Sequence, residues 1–197
     1  MAEQKEFIVA FELGSSKVTG IAGQKKPDGS ISVLALAKED SSSFIRKGVV
    51  YNIDKTAQCL ASIKKKLETQ LKAQITQVFV GVGGQSIRGV RNVVPKDLPA
   101  DTVGIRATRL EGNYLNILER KGFFQNLNKC FELAGIPVVE MYLAPQELAN
   151  VVLTEAERRS GCALVDLGAD TTTVAVFYKN VLRHLAVIPL GSNNITK

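Results

Sequence analysis

At 197 residues and 45% hydrophobic content, the chain is long enough for one large domain or two small ones with a true core, which excludes a disordered protein. No apolar run approaches the ~20 residues of a membrane-spanning helix, and residues 1–6 lack the basic-then-apolar profile of a secretory leader. The net charge of +6 raises the question of nucleic acid. However, Lys64-Lys65-Lys66 lies in a helical segment near Glu68, and Arg106, Arg109, Arg120 and Lys121 form only a loose group. Neither cluster has interleaved aromatics, so a solvated face, an acidic partner or an anionic membrane surface is expected, and no nucleic acid. Cys59, Cys130 and Cys162 are far apart in apolar settings, without metal spacing or an even disulfide set, and read as reduced thiols of a cytoplasmic protein.

The chain opens with strands expected at 7–13, 17–24 and 31–38, joined by short turns that include Pro27-Asp28-Gly29, which makes an antiparallel meander. Apolar residues Ile53, Ala57, Leu60, Ile63, Leu67 and Leu71 recur at three- and four-residue intervals, so a helix is expected over 53–73, capped by Asn52 or Asp54. A buried strand, 78–82, runs into Gly83-Gly84, where a turn is the better reading than phosphate binding. Residues 90–94 and 110–117 read as strands of an irregular segment bracketed by Pro95 and Pro99. A helix over 125–134 should close at Gly135 and Pro137. After strand 138–143, Pro145 should open a helix running to about Arg159. Strands 162–167, 172–178 and 181–188 form a second meander, and residues 192–197 read as the cap and opening of another helix.

Two stretches repeat. Phe7-Ile8-Val9-Ala10-Phe11-Glu12-Leu13-Gly14-Ser15-Ser16 and Cys162-Ala163-Leu164-Val165-Asp166-Leu167-Gly168-Ala169-Asp170-Thr171-Thr172 are each an apolar strand ending in acid-Leu-Gly, followed by a hydroxyl-rich turn and a second strand. Such turns offer N–H and hydroxyl donors to phosphate oxygens, and glycine permits close approach. An acid beside phosphate makes sense only with a divalent cation between them, usually Mg²⁺ with its water. Glu12 and Asp166 are therefore the candidate metal-side acids. Gly14, Ser15, Ser16, Lys17, Gly168, Asp170, Thr171 and Thr172 are the candidate nucleotide contacts, with Lys17 a point charge for phosphate.

These hairpins resemble the two phosphate loops of the actin, Hsp70 and sugar-kinase superfamily. Within it, Glu12 to Val18, Gly48-Val49-Val50-Tyr51-Asn52-Ile53-Asp54, Val152-Leu153-Thr154-Glu155-Ala156-Glu157 and Leu182-Arg183-His184 with Ile188-Pro189-Leu190-Gly191 are similar to the bacterial FtsA family of cell-division proteins. The resemblance implies an α/β, actin-like (ribonuclease H-like) lobe with a short inserted segment and the first strands of a second lobe. Residues 1–85 and 123–160 would form the first lobe, 86–122 a reduced form of that family's 1C insert, and 161–197 the start of the second lobe. It also implies ATP with Mg²⁺ as cofactors, an adaptor that polymerises into filaments, and at most slow ATP hydrolysis. The implied partners are FtsZ and later division proteins at the cytoplasmic face of the inner membrane, reached through a C-terminal helix with no counterpart here. Gln146 stands where actin carries a water-positioning glutamine, although Glu147 competes for that role. His184, the one histidine, reads as a packed or surface residue.

Four departures stand against the family pattern. The first acid is Glu12 instead of Asp, Asp170 adds a negative charge to the second loop, the insert is short, and the adenine-contacting glycine motif is missing. A PilM-type pilus-assembly scaffold and an interaction domain without nucleotide are the alternatives.

Overall fold

The computed structural model describes residues 7–94, Gly104 and 112–196. Strands β1 (Ile8–Leu13), β2 (Lys17–Lys25) and β3 (Ile31–Asp40) form the expected antiparallel meander. Strands β6 (Val78–Val82) and β9 (Val138–Leu143) add to it in parallel, giving a five-stranded sheet of order β3-β2-β1-β6-β9.

Helix α1 (Ile53–Leu71) starts where Asn52 Oδ1 accepts from the Lys55 N–H at 2.9 Å, with Asp54 in the positive first turn. Its apolar stripe of Leu60, Ile63 and Leu67 packs on Val9, Phe11 and Val18 of the sheet. Helix α2 (Lys121–Leu133) lies beside it, and Phe131 meets Phe11 edge to face at 6.0 Å. The α2 helix begins a turn earlier than periodicity predicts because Phe123 already packs on this core.

A second sheet, β10 (Cys162–Leu167), β11 (Thr172–Tyr178) and β12 (Val181–Ile188), is the expected second meander. Ala175, Phe177 and Leu185 on one of its faces pack with Ile87 and with Ala149 of α3 (Ala144–Val152). The sequence repeat is a structural repeat. Leu13 pairs with Val18 and Glu12 with Thr19, as Leu167 pairs with Thr172 and Asp166 with Thr173. Phe11 and Val165 then occupy matching positions, yet Phe11 is 1% exposed in the α1–α2 core and Val165 is 58% exposed.

Three expectations need correction. The helix predicted from Pro145 to Arg159 is two helices, α3 and α4 (Glu155–Ser160), since Leu153 and Thr154 are extended. Thr154 Oγ1 accepts from the Glu157 N–H at 3.3 Å while the Glu157 carboxylate accepts from the Thr154 N–H at 2.7 Å, so a capping box starts a fresh helix there. A small hairpin of β4 (Ile45–Arg46) and β5 (Val49–Val50) sits where no element was predicted, turning at Lys47 and Gly48 with φ of 50° and 73°. The chain end is a 3-10 turn over Ser192–Asn194 and not an opening α-helix. Between β6 and α2 lies a hairpin, β7 (Arg88–Val94) with β8 (Gly112–Leu118); predicted strand residues 110 and 111 lie outside the described ones.

Candidate functional site

The two repeat hairpins present their turns to one cleft of about 420 Å³. Glu12, Gly14, Ser15, Ser16 and Lys17 line it from the first hairpin. Asp166, Gly168 and Thr171 line it from the second. Each turn is closed by the same bond, Gly14 N–H to the Lys17 carbonyl at 3.0 Å and Gly168 N–H to the Thr171 carbonyl at 2.9 Å. A Cβ built on either glycine would stand 2.9 Å from that same carbonyl oxygen, so both positions exclude side chains for one steric reason.

Several residues that line or support the cleft carry no local sequence signal. Ser41, fully buried, donates its hydroxyl to the Gly14 carbonyl at 2.6 Å and its N–H to the Ser16 carbonyl at 3.2 Å, which fixes the first turn. Gly48 reaches the cleft on the β4–β5 turn. There the Gln85 N–H donates to the Lys47 carbonyl at 3.0 Å, and a Cβ on Gly48 would lie 2.5 Å from the Gly84 Cα. Gly83 and Gly84, read from sequence as a simple turn, thus also line the cleft. On the far side the Ser192 N–H donates to the Gly168 carbonyl at 2.9 Å.

Three of the expected residues are not on this wall. Gln146 is half-buried and does not line the cleft, although its neighbours Ala144 and Pro145 do. Its competitor Glu147 is exposed and accepts from the Asn150 amide at 3.2 Å. Thr172 donates its hydroxyl to the Leu190 carbonyl at 2.8 Å. Asp170 turns across the mouth of the cleft, where Oδ1 accepts from Asn193 Nδ2 at 2.9 Å and Oδ2 from the Lys47 N–H at 3.2 Å. The Asn193 amide above all, then the Lys47 N–H and the Ser15 hydroxyl, hold its carboxyl below the usual carboxylate range against an upward push from burial. Ser15 Oγ in turn accepts from the Gly48 N–H at 3.0 Å.

The donor set suits a phosphate chain with a hard cation: hydroxyls, tight glycine turns and Lys17 for the anion, Glu12 and Asp166 as oxygen ligands. Among the described residues no group of three acids, histidines or cysteines is close enough to hold a metal unaided. A cation here would therefore depend on oxygens from the nucleotide and water as well. Again among the described residues, no helix is long and apolar enough to cross a membrane.

Fold and cleft together define an actin-like α/β protein. The family model for "Cell division protein FtsA" matches residues 163–197. The FtsA of Neisseria meningitidis is 28% identical over an alignment of 240 positions that takes in 100% of this chain and 58% of that protein. Within the actin-like class, the chain is similar to the FtsA cell-division proteins. It spans little more than half the length of the curated relatives it matches. Because the alignment is longer than the chain, the Neisseria protein carries residues inside the matched region that have no counterpart here. Among solved structures, a PilM–PilN type IV pilus biogenesis complex superposes with a TM-score of 0.78 at 15% identity, covering 98% of this chain and 64% of that one. The ADP-bound MreB5 of Spiroplasma citri gives 0.56 at 11% identity, covering 95% and 53%.

Proposed function

We propose that this chain forms the phosphate-gripping part of an FtsA-like adaptor, which binds ATP with Mg²⁺ between its two repeat hairpins. The observation that carries this reading is the pair of hairpins closed by matching bonds around one cleft, each with a carboxylate one residue before the end of its first strand. Glu12 and Asp166 would hold the hydrated cation, while Gly14, Ser15, Ser16, Lys17, Gly168 and Thr171 would contact phosphate oxygens. Bound Mg²⁺ would neutralise phosphate charge. Gln146 does not line the cleft, so hydrolysis is expected to be slow at most. Residues 86–122 act as a shortened 1C-like insert between the parts of the first lobe, and 161–197 begin the second. As in the family it resembles, the full protein would polymerise and tether FtsZ and later division proteins to the inner membrane.

Calorimetry with Mg-ATP, on this chain and on a version extended to the length of its relatives, tests the reading. Binding by the extended chain that disappears with Glu12→Gln or Asp166→Asn supports it. Absence of binding by both would leave an interaction domain without nucleotide, the alternative that Asp170 favours by bringing negative charge to the cleft mouth. A pilus-assembly scaffold of PilM type is favoured by the superposition alone, at an identity that speaks for fold only. Recruitment of FtsZ filaments by the extended protein separates the two.

A further inference from the structure

A groove of about 640 Å³ runs between the β7–β8 hairpin and the β11–β12 turn, and shares no lining residue with the nucleotide cleft. The hairpin touches the second sheet closely at Gly89, against the Leu185 backbone. The groove's walls carry Arg91, Lys179 and Arg183, with no acid among the described residues that line it. Arg91 is far in sequence from Lys179 and Arg183, and none of the three belongs to the basic clusters visible there. The β11–β12 hairpin that carries two of them is tied to the end of α4, where the Lys179 N–H donates to the Arg159 carbonyl at 3.1 Å and the Asn180 N–H to the Arg158 carbonyl at 3.0 Å.

The guanidinium groups are fixed in place. Arg91 donates through Nε and Nη2 to the Arg183 carbonyl at 3.2 and 2.8 Å, and Arg183 Nε donates to the Tyr178 carbonyl at 3.3 Å. A guanidinium has five N–H donors, so these bonds orient each fork while using only part of it. Held forks suit planar carboxylates, which they meet two bonds at a time. Leu115, Val181 and Leu182 supply apolar surface in the same groove. The ring of Tyr178 has the Lys179 ammonium over it at 5.6 Å, which leaves that face poorly placed to stack a base. Charge and apolar surface together therefore favour a peptide over a nucleic acid.

We propose that this groove binds a short acidic peptide in which carboxylates alternate with apolar side chains. The carboxylates rest on Arg91, Lys179 and Arg183, and the apolar side chains on Leu115, Val181 and Leu182. Concentrating fixed positive charge in a concave site both steers such a partner and sets its register. None of this depends on the nucleotide cleft.

The test is fluorescence anisotropy of a labelled Glu-Leu-Glu-Val-Glu-Leu-Glu peptide with the whole chain. Saturable binding is expected, weakening about tenfold as salt rises from roughly 50 to 300 mM. The double variant Lys179→Asn, Arg183→Gln should weaken it at least about tenfold. Asn tolerates the positive φ at position 179, and the variant's fold is checked by circular dichroism. A control with the same charge change, Lys64→Gln with Lys65→Gln, should leave binding unchanged. Equal weakening by both pairs, equal binding of a Lys-Leu peptide, tighter binding of oligouridylate, or no binding at all would each overturn the proposal.

Discussion

The carboxylate of Asp170 accepts from the backbone N–H of Lys47 at 3.2 Å, tying the β4–β5 turn of the first sheet's side of the cleft to the loop of the second. The same carboxylate engages Asn193 and the Ser15 hydroxyl, so one side chain draws both candidate phosphate loops onto an internal anion. Asp170→Asn removes the charge while keeping an acceptor. Under the proposed function, Mg-ATP should then bind about 3- to 10-fold more tightly by calorimetry, since a like charge leaves the cleft mouth.

The lowered carboxyl of Asp170 also has a pH consequence. Its hydrogen bonds stabilise the ionised form, so their contribution is complete above the ordinary carboxylate range and is lost as pH falls through the lowered folded value. Thermal midpoints of the parent should therefore fall more steeply on acidification than those of Asp170→Asn. Parallel curves would show that the tie adds nothing to stability.

Glu12 and Asp166 occupy matching places in the repeat, each one residue before the strand end and each on the cleft wall. If both serve a hydrated cation, Glu12→Gln and Asp166→Asn should erase the gain in nucleotide affinity that Mg²⁺ gives. Binding measured in EDTA should change by less than about threefold or improve, because charge is removed near phosphate. Loss of binding in EDTA as well would point to a broken hairpin instead of a lost ligand.

The parts of this fold that were readable in sequence are those in which a local pattern and the tertiary environment agree. The α1 stripe is one, since Leu60, Ile63 and Leu67 are periodic and all are fully buried. The paired acid-Leu-Gly turns are another, because the glycine requirement is set by a carbonyl three residues away. The single long helix over 145–159 misled because Val151 and Val152 continue an apolar rhythm, yet they are 83% and 52% exposed and serve no core. The capping box of Thr154 and Glu157 was written in the chain and outweighs that rhythm. Gly48 and Gly84 could not be assigned to the cleft, nor Ser41 to the support of its first turn, since each is defined by a contact with a distant segment. The groove proposed for an acidic peptide was hidden for the same reason, since only folding brings Arg91 to Lys179 and Arg183.

Gly48 and Gly29 offer a matched comparison of that long-range effect. Both have positive φ, 73° and 84°, but a Cβ on Gly48 would collide with the Gly84 backbone while one on Gly29 meets nothing within 4 Å. Gly29→Ala should cost about 1 kcal/mol from backbone strain alone. Gly48→Ala should cost about 2–4 kcal/mol, since backbone on both sides must shift. Urea unfolding measures both, and equal costs would mean that the β4–β5 turn yields freely.

Two thiols make the last prediction. Burial first, and then the neighbouring Glu39 charge, pushes Cys59 up to about 12, and burial with the charge of Asp54 pushes Cys130 up to about 11 against a hydrogen bond from Thr56. The reactive species is the thiolate, so both should resist a disulfide reagent at roughly pH 8 until the chain unfolds, as read by mass spectrometry of the labelled cysteines. Linkage gives a second readout with a definite sign. Above the ordinary thiol value of 9.0 the unfolded chain loses these protons while the folded one keeps them, so stability falls as pH rises through that window and levels only near the folded values. Cys59→Ala with Cys130→Ala should flatten the fall in thermal midpoint above pH 9.0, though it starts from a lower midpoint because two core side chains are trimmed. An unchanged slope would mean that other groups, lysines and tyrosines first, govern alkaline unfolding.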